Sequence, residues 1–270
     1  MDESLPLPAP VRQTLGGLAL ALGAGVPAGA RRLIWDEFFA SRGRGIDWTT
    51  HLPWAVPGTV LCASAADEAG ETAAALLIRR VPDAATAMVG CVCVDPRHRG
   101  HGLSGRLIDL AAPVLHGLGL AQMLLWTGKP AIYERCGFVV SARERQLTLR
   151  CPAELPDAPV TLSPWELAGL PPYALAGWAA NAAEARLVFV DTPRGAALLD
   201  HAGAPEAVLR AMAAARPGDW SATLGEDQPL ARHALAAGAC IEATAGPATM
   251  YRPLGADTTV PAYVAPAFRI

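Results

Sequence analysis

The sequence predicts a layered α+β fold: a mixed, mostly antiparallel sheet flanked by helices, with a smaller α/β domain in tandem behind it. Three observations predict it. Apolar segments over 59–65, 72–80 and 85–94 are separated by the hairpin-like connectors Asp67-Glu68-Ala69-Gly70 and Val81-Pro82-Asp83. The third segment runs through a basic glycine loop into a helical stretch. Beyond residue 165 strands and helices alternate in an order that repeats the second half of what precedes. The expected division is a domain over 1–150, a linker over 151–164 with its four prolines, and a smaller domain over 165–270.

Taken in order, residues 1–13 are polar and proline-bearing and read as a loose arm, and 16–23 alternate weakly as a first strand. Pro27 suits a helix start, and Ile34, Trp35, Phe38 and Phe39 give that helix an apolar stripe. A second short helix is expected over 46–52. The meander 59–94 follows, then a helix over 103–117 with Leu103, Leu107, Leu110 and Leu115 on one side, ended by the glycines at 117 and 119. A strand over 122–127, a helix from Pro130 to Cys136-Gly137, and strands over 138–140 and 146–150 complete the first domain. The order for 14–150 is β-α-α-β-β-β-α-β-α-β-β. In the second domain, strands over 187–190 and 196–199, a helix over 205–215, a strand over 220–224 and a helix over 228–237 precede an extended end. The proline-bearing segment 253–270 reads as an arm.

The chemistry concentrates at 88–106. The apolar run Met88–Val94 stops at Asp95-Pro96, because proline has no N–H for a central ladder. Arg97-His98-Arg99-Gly100-His101-Gly102 follows, and the next helix begins at Leu103. Glycines let backbone approach a ligand closely. The first N–H groups of a helix lack intrahelical partners and carry the positive end of its dipole. Arg97 and Arg99 can add forked donors. The loop is neither a Walker A loop, since no Gly-Lys-Ser/Thr ends it, nor a three-glycine dinucleotide loop.

Arg97, Gly100 and Gly102 after Val94-Asp95-Pro96 resemble the acyl-CoA loop of the GCN5-related N-acetyltransferases (GNAT). Tyr133-Glu134-Arg135-Cys136-Gly137-Phe138, one strand and one helix later, is similar to that family's Tyr-x-x-x-Gly-Phe. The resemblance covers about 14–150. It implies acetyl-CoA as co-substrate, with the pantetheine arm paired to backbone of Val92, Cys93 and Val94 and the pyrophosphate on the amides of Arg99, Gly100, His101, Gly102, Leu103 and Ser104. It implies a role for Tyr133 as general acid to the departing thiolate, or a role limited to packing and holding the cofactor. The chain departs from many members in carrying Thr127-Gly128-Lys129-Pro130 where they have a cofactor-binding Asn. The general base is less legible: Glu37, Asp36 and His51 are candidates, each equally readable as a surface group, and a water relay would serve as well.

Repetition in the second half is local. Arg135-Cys136-Gly137-Phe138 is echoed by Ala236-Ala237-Gly238-Ala239, but no Arg-x-x-Gly-x-Gly precedes the helix at 205, and Ala234 stands where Tyr133 would map. Either a degenerate second GNAT-like domain without cofactor or an unrelated α+β cap fits these residues.

Composition sets the bounds. The 270 residues are 52% hydrophobic and 17% charged, enough to bury a core, and the net charge of −3 gives no pull toward nucleic acid or an anionic membrane. The start, Met-Asp-Glu-Ser, does not read as a signal peptide, and the apolar stretch 16–30 is too short and glycine-rich to span a bilayer. The six cysteines form no C-x-x-C, and Cys91 and Cys93 share one face of a strand, so reduced thiols in a cytoplasm are expected. His98 and His101 lack a third ligand at metal spacing, and no metal is expected. The expected activity is cytoplasmic transfer of an acetyl group from acetyl-CoA to a primary amine on a small molecule or peptide. The alternative is a non-catalytic acyl-CoA-binding or scaffold protein. A homodimer, or a monomer whose two domains pair with each other, are both open.

Overall fold

The computed structural model describes residues 5–6, 9–40, 58–82, 84–151, 159–165, 174–255, 259 and 263–269. The expected helix over 46–52, with His51, lies outside them. The chain divides into two units. Unit 1 holds 1–141, 249–262 and 269–270; unit 2 holds 142–248 and 263–268. The division therefore falls at 141/142, ahead of the expected boundary at 150, and part of the C-terminal segment belongs to unit 1.

In unit 1 the weak alternation near the start resolves into two strands, β1 (Val11–Leu15) and β2 (Leu18–Ala24), turned at Gly16-Gly17. The loose arm thus ends earlier than its polarity suggests, because β1 needs only ladder pairing with β2, not a buried face. Helix α1 (Ala28–Phe38) follows Pro27 as expected. Strands β3 (Leu61–Ala66), β4 (Thr72–Arg80) and β5 (Thr86–Val94) continue an antiparallel meander from β2. Helix α2 (Leu103–Gly117), β6 (Gln122–Thr127) and the short α3 (Pro130–Glu134) come next. β6 pairs parallel to β5. Helix α1 lies against β4 and β5, and α2 against β2 to β5. β4 is buried along nearly its whole length, with Leu76, Leu77 and Ile78 fully inside. That fits a central strand covered on both faces, each such side chain contributing roughly 1.5–3 kcal/mol.

The strands expected at 138–140 and 146–150 are one strand, β7 (Val139–Cys151). Its polar middle, Ser141–Gln146, reads as a turn in sequence, but tertiary pairing decides. Its first residues belong to unit 1 and the rest to unit 2.

Unit 2 contains β8 (Thr161–Pro164), β9 (Ala176–Asn181), β10 (Ala185–Thr192) and β11 (Gly195–Gly203), then α4 (Pro205–Ala215), β12 (Gly218–Gly225), α5 (Pro229–Ala236) and β13 (Cys240–Pro253). β8 corrects the linker expected over 151–164: residues 161–164 are an edge strand, a position that tolerates Pro164. Within the unit the order is β8-β9-β10-β11-β12-β7-β13. β8 to β11 are antiparallel, β11 and β12 parallel, and β12 and β7 antiparallel. The core joins Phe189 and Trp220, with ring centres 4.9 Å apart, to Val208 and Met212 of α4 and Leu230 of α5. An antiparallel meander, a helix and a parallel strand repeat the plan of unit 1. Of the two readings of the second half, the structure supports a tandem repeat.

The last residues of β13, from 249, return to unit 1 and lie between β6 and the start of β7. Among the described residues no helix is long and apolar enough to cross a membrane.

Candidate active site

β5 and β6 pair only over Thr86–Met88 and Gln122–Leu124. Beyond that β5 continues to Val94 and β6 to Thr127 with no shared register, which leaves a wedge between them. The wedge has a second irregularity. Leu77 faces Gly90 while Ala75 faces Cys93, so β5 carries an extra residue, and Cys91 takes a φ of 49°. A non-glycine residue there costs about 1–2 kcal/mol, and such bulges re-aim the groups around them. Nothing in the sequence signals this bulge, since cysteine is not a turn residue.

At the wide end of the wedge, Asp95–Gly102 join β5 to α2. Pro96–His98 form a 3-10 turn, with Asp95 accepting from the Arg97 backbone N–H at 2.8 Å. The Arg97 guanidinium forks onto the same carboxylate at 3.0 Å from both Nε and Nη2. That pairing holds the Asp95 carboxyl well below the usual range, at about 2. Arg97, expected as a phosphate donor, therefore spends its fork on the loop itself. Arg99 donates to the Val94 carbonyl at 3.1 Å and to Glu37 Oε2 at 2.9 Å. Glu37, a candidate base in the sequence, is thus the partner of a loop arginine. His98 lies 3.7 Å from Asp67. His101 is exposed at the loop surface.

Gly100 and Gly102 have φ of 85° and 68°, and a Cβ on either would meet no atom within 4 Å. The space over both is open. Gly102 is the N-cap of α2, no side chain caps the helix, and its first turn holds no acidic residue. The N–H groups at Leu103 and Ser104 are thus presented without a side-chain competitor, the arrangement that receives an anion. Leu103 itself is buried and anchors the turn. Val92, Cys93 and Val94 form the stretch of β5 between bulge and loop. They pair with β4 on one side, Cys93 with Ala75 and Val94 with Ala74, and carry no pairing to β6.

Tyr133 ends α3. Its carbonyl accepts from Cys136 and Phe138 backbone N–H groups across a turn in which Gly137 takes a φ of 78°. Its ring stands edge-on to the buried Phe138 at 6.0 Å. Burial pushes the phenol above its ordinary value, with Cys136 and Cys93 adding to the effect. The thiols nearby are inert: desolvation pushes Cys62 and Cys91 up to about 12, and Cys93 upward as well. Among the described residues no group of three or more His, Cys, Asp or Glu could hold a metal ion.

In unit 2, β11 and β12 also separate after three pairs, Ala196–Leu198 with Trp220–Ala222, and β11 also shifts register, opposite Val188 and Phe189. Only Ala204 stands between β11 and α4, however. Pro205 lacks an N–H, and Glu206 places a negative charge in the first turn. This wedge has no anion loop.

Residues 58–140 match the family model of the acetyltransferase (GNAT) domain. The fold is similar to a GCN5-related N-acetyltransferase from Kribbella flavida, at 15% identity and a TM-score of 0.56, over 88% of this chain and 71% of that one. It is similar to another from Anabaena variabilis, at 12% identity and a TM-score of 0.60, over 87% and 73%. A tandem GNAT protein from the clavulanic acid biosynthesis pathway matches at 13% identity and a TM-score of 0.52, over 74% and 84%. At these identities the likeness is one of fold. No curated protein matches the chain.

Proposed function

We propose that the chain is an acyltransferase of the GNAT type, whose unit 1 transfers an acetyl group from acetyl-CoA to a primary amine, a reading supported by the match of residues 58–140 to the acetyltransferase (GNAT) domain model. The observation that carries this reading is the Asp95–Gly102 loop, with its two open glycines and uncapped helix start, at the mouth of the β5–β6 wedge. The loop amides from Arg99 to Ser104 take the pyrophosphate. The unpaired edge of β5 over Val92, Cys93 and Val94 takes the amides of the pantetheine arm as a neighbouring strand would. The thioester then lies toward the bulge at Cys91, within reach of the wedge wall.

A thioester is already activated, so holding it beside an amine supplies most of the rate. The neutral amine nitrogen attacks the carbonyl carbon, the C–S bond breaks, and the thiolate leaves with the bonding pair. Tyr133 donates its phenolic proton to that sulfur and is reprotonated from solvent, which receives the proton released by the new amide nitrogen. The upward shift of the phenol keeps the proton in place at neutral pH. Glu37, held by Arg99 at 2.9 Å, acts here by positioning the loop arginine rather than by taking the amine proton. The test is thiol release from acetyl-CoA in the presence of a panel of primary amines, with calorimetry of acetyl-CoA binding beside it. Amine-dependent release supports the reading; a protein that binds no acetyl-CoA overturns it.

A further inference from the structure

The turn that carries Tyr133 is held from two sides by residues that the acetyl-transfer reading leaves unused. Gly105 and Asp109 stand four residues apart on α2 and so share one face of it. Gly105 lies against the Cys136 thiol, so closely that a Cβ there would come within 3.2 Å of Sγ. Asp109 accepts from Arg252 Nη1 at 2.7 Å. The Arg252 side chain passes over Gly137, where an added Cβ would stand 3.6 Å from Nε and 3.7 Å from Cδ. Arg252 lies near the end of β13, in the part that belongs to unit 1. On either side of it the Leu254 N–H donates to the Ala121 carbonyl at 2.8 Å, and the Thr249 carbonyl accepts from Ser141 Oγ at 3.2 Å. The ion pair thus ties α2 to a segment that is itself pinned at both ends. The turn between them passes its geometry on to Tyr133. The Cys136 and Phe138 N–H groups both donate to the Tyr133 carbonyl, and the Phe138 ring stands against the Tyr133 ring.

We propose that Asp109 and Arg252 are positioning residues for Tyr133: their ion pair clamps the Cys136-Gly137 turn and so fixes the direction of the phenol. This rests on the acetyl-transfer reading and adds to it the pair that aims its general acid. A short hydrogen bond between full charges is stronger than a neutral one and holds its geometry. Its contribution to overall stability is small, since the two side chains are 23% and 64% exposed. Its contribution to rate is of another kind, because displacing a reacting group by about 1 Å can cost about a hundredfold. The pair also gives the last strand a part in the chemistry. The chain reaches Arg252 only after passing through residues 142–248 of unit 2, so a residue that aims Tyr133 is supplied from beyond the stretch that carries the loop.

The test is a double-mutant cycle on the full chain, read as kcat for thiol release from acetyl-CoA with benzylamine, spermidine and glycinamide as acceptors. Arg252→Ala and Asp109→Asn should each lower kcat about tenfold, while KM and calorimetric affinity for acetyl-CoA stay unchanged. Arg252→Lys, which keeps the charge without the planar fork, should recover most of the loss. In a Tyr133→Phe background Arg252→Ala should change kcat by less than about twofold, since no proton is left to aim. A second readout needs no acceptor. In protein carrying isotope-labelled tyrosine and saturated with CoA, the Tyr133 ring resonance, identified by its absence in Tyr133→Phe, should move in Asp109→Asn. Wild-type kcat in Arg252→Ala, an equal loss with and without the Tyr133 hydroxyl, or an unmoved Tyr133 resonance overturns the proposal. Two failures are distinct from these. Wild-type kcat in Tyr133→Phe removes the acid, and the proposal with it, but leaves acetyl transfer standing, whereas absence of acetyl-CoA binding removes the underlying reading.

Discussion

The two units build the same device to different depths. Each has an antiparallel meander, a strand with a register shift, a helix and a parallel strand that separates after three paired residues. In unit 1 the strand and the helix are joined by Asp95–Gly102, with positive-φ glycines and no acid in the first helical turn. In unit 2 the junction is Ala204 alone, followed by a proline and Glu206. The wedge and the bulge thus belong to the fold. The anion site is a separate acquisition, made by a few residues that supply N–H groups, open space and positive potential together. An eroded or never-completed loop leaves the sheet and its core intact, because that core rests on Phe189, Trp220 and the α4 and α5 side chains.

The strongest way to break this comparison is to fill the two junctions with the same bulky residue. Gly102→Trp places a side chain in the open space where the anion belongs, and acetyl-CoA affinity should fall by about a hundredfold or more, since the close backbone approach that glycine allows is lost. Ala204→Trp at the matching junction should leave that affinity unchanged. Calorimetry reads both, and circular dichroism checks that each variant folds. Next in size is Tyr133→Phe, which should lower kcat by about a hundredfold while acetyl-CoA affinity is kept, as for removal of a general acid. Because burial raises the phenol, Tyr133 should impose no falling limb on the kcat profile below its ordinary pKa of about 10.

A smaller effect sharpens the account of the loop. Asp95→Asn removes the carboxylate that organises Arg97 and should weaken acetyl-CoA binding by several-fold. The sign of the pH dependence follows from the depressed carboxyl. Its contribution is present above the ordinary carboxylate range and is lost only as pH falls toward about 2. Titration of Asp95 should therefore add no pH dependence to wild-type affinity across the neutral range. The smallest expected signal is from the thiols: Cys62, Cys91 and Cys93, all shifted upward, should react with an aromatic disulfide far more slowly than a free thiol at mildly alkaline pH.

What was legible in the sequence was what glycine, proline and charge encode locally. The loop after β5, the helix after it and the turn at Cys136-Gly137 stand where those residues put them. The meander and the helix at 205–215 were legible from apolar spacing. What was not legible depends on partners distant in sequence. Arg99 meets Glu37 across 62 positions, and Arg269 meets Trp126 from the middle of the sequence. β7 hides in a polar stretch because much of its length is exposed and its place is set by β12, so no alternation marks it. β8 hides among prolines for the same reason, as an edge needs few ladder bonds. The bulge at Cys91 carries no compositional mark, although it shapes the site as much as the loop does.

One measurement bears most directly on the claim that unit 1 alone completed the site: the stoichiometry of acetyl-CoA on the wild-type chain by calorimetry. The expected result is one equivalent, abolished by Gly102→Trp. Two equivalents, or one equivalent that survives Gly102→Trp and is lost in Ala204→Trp, would contradict it.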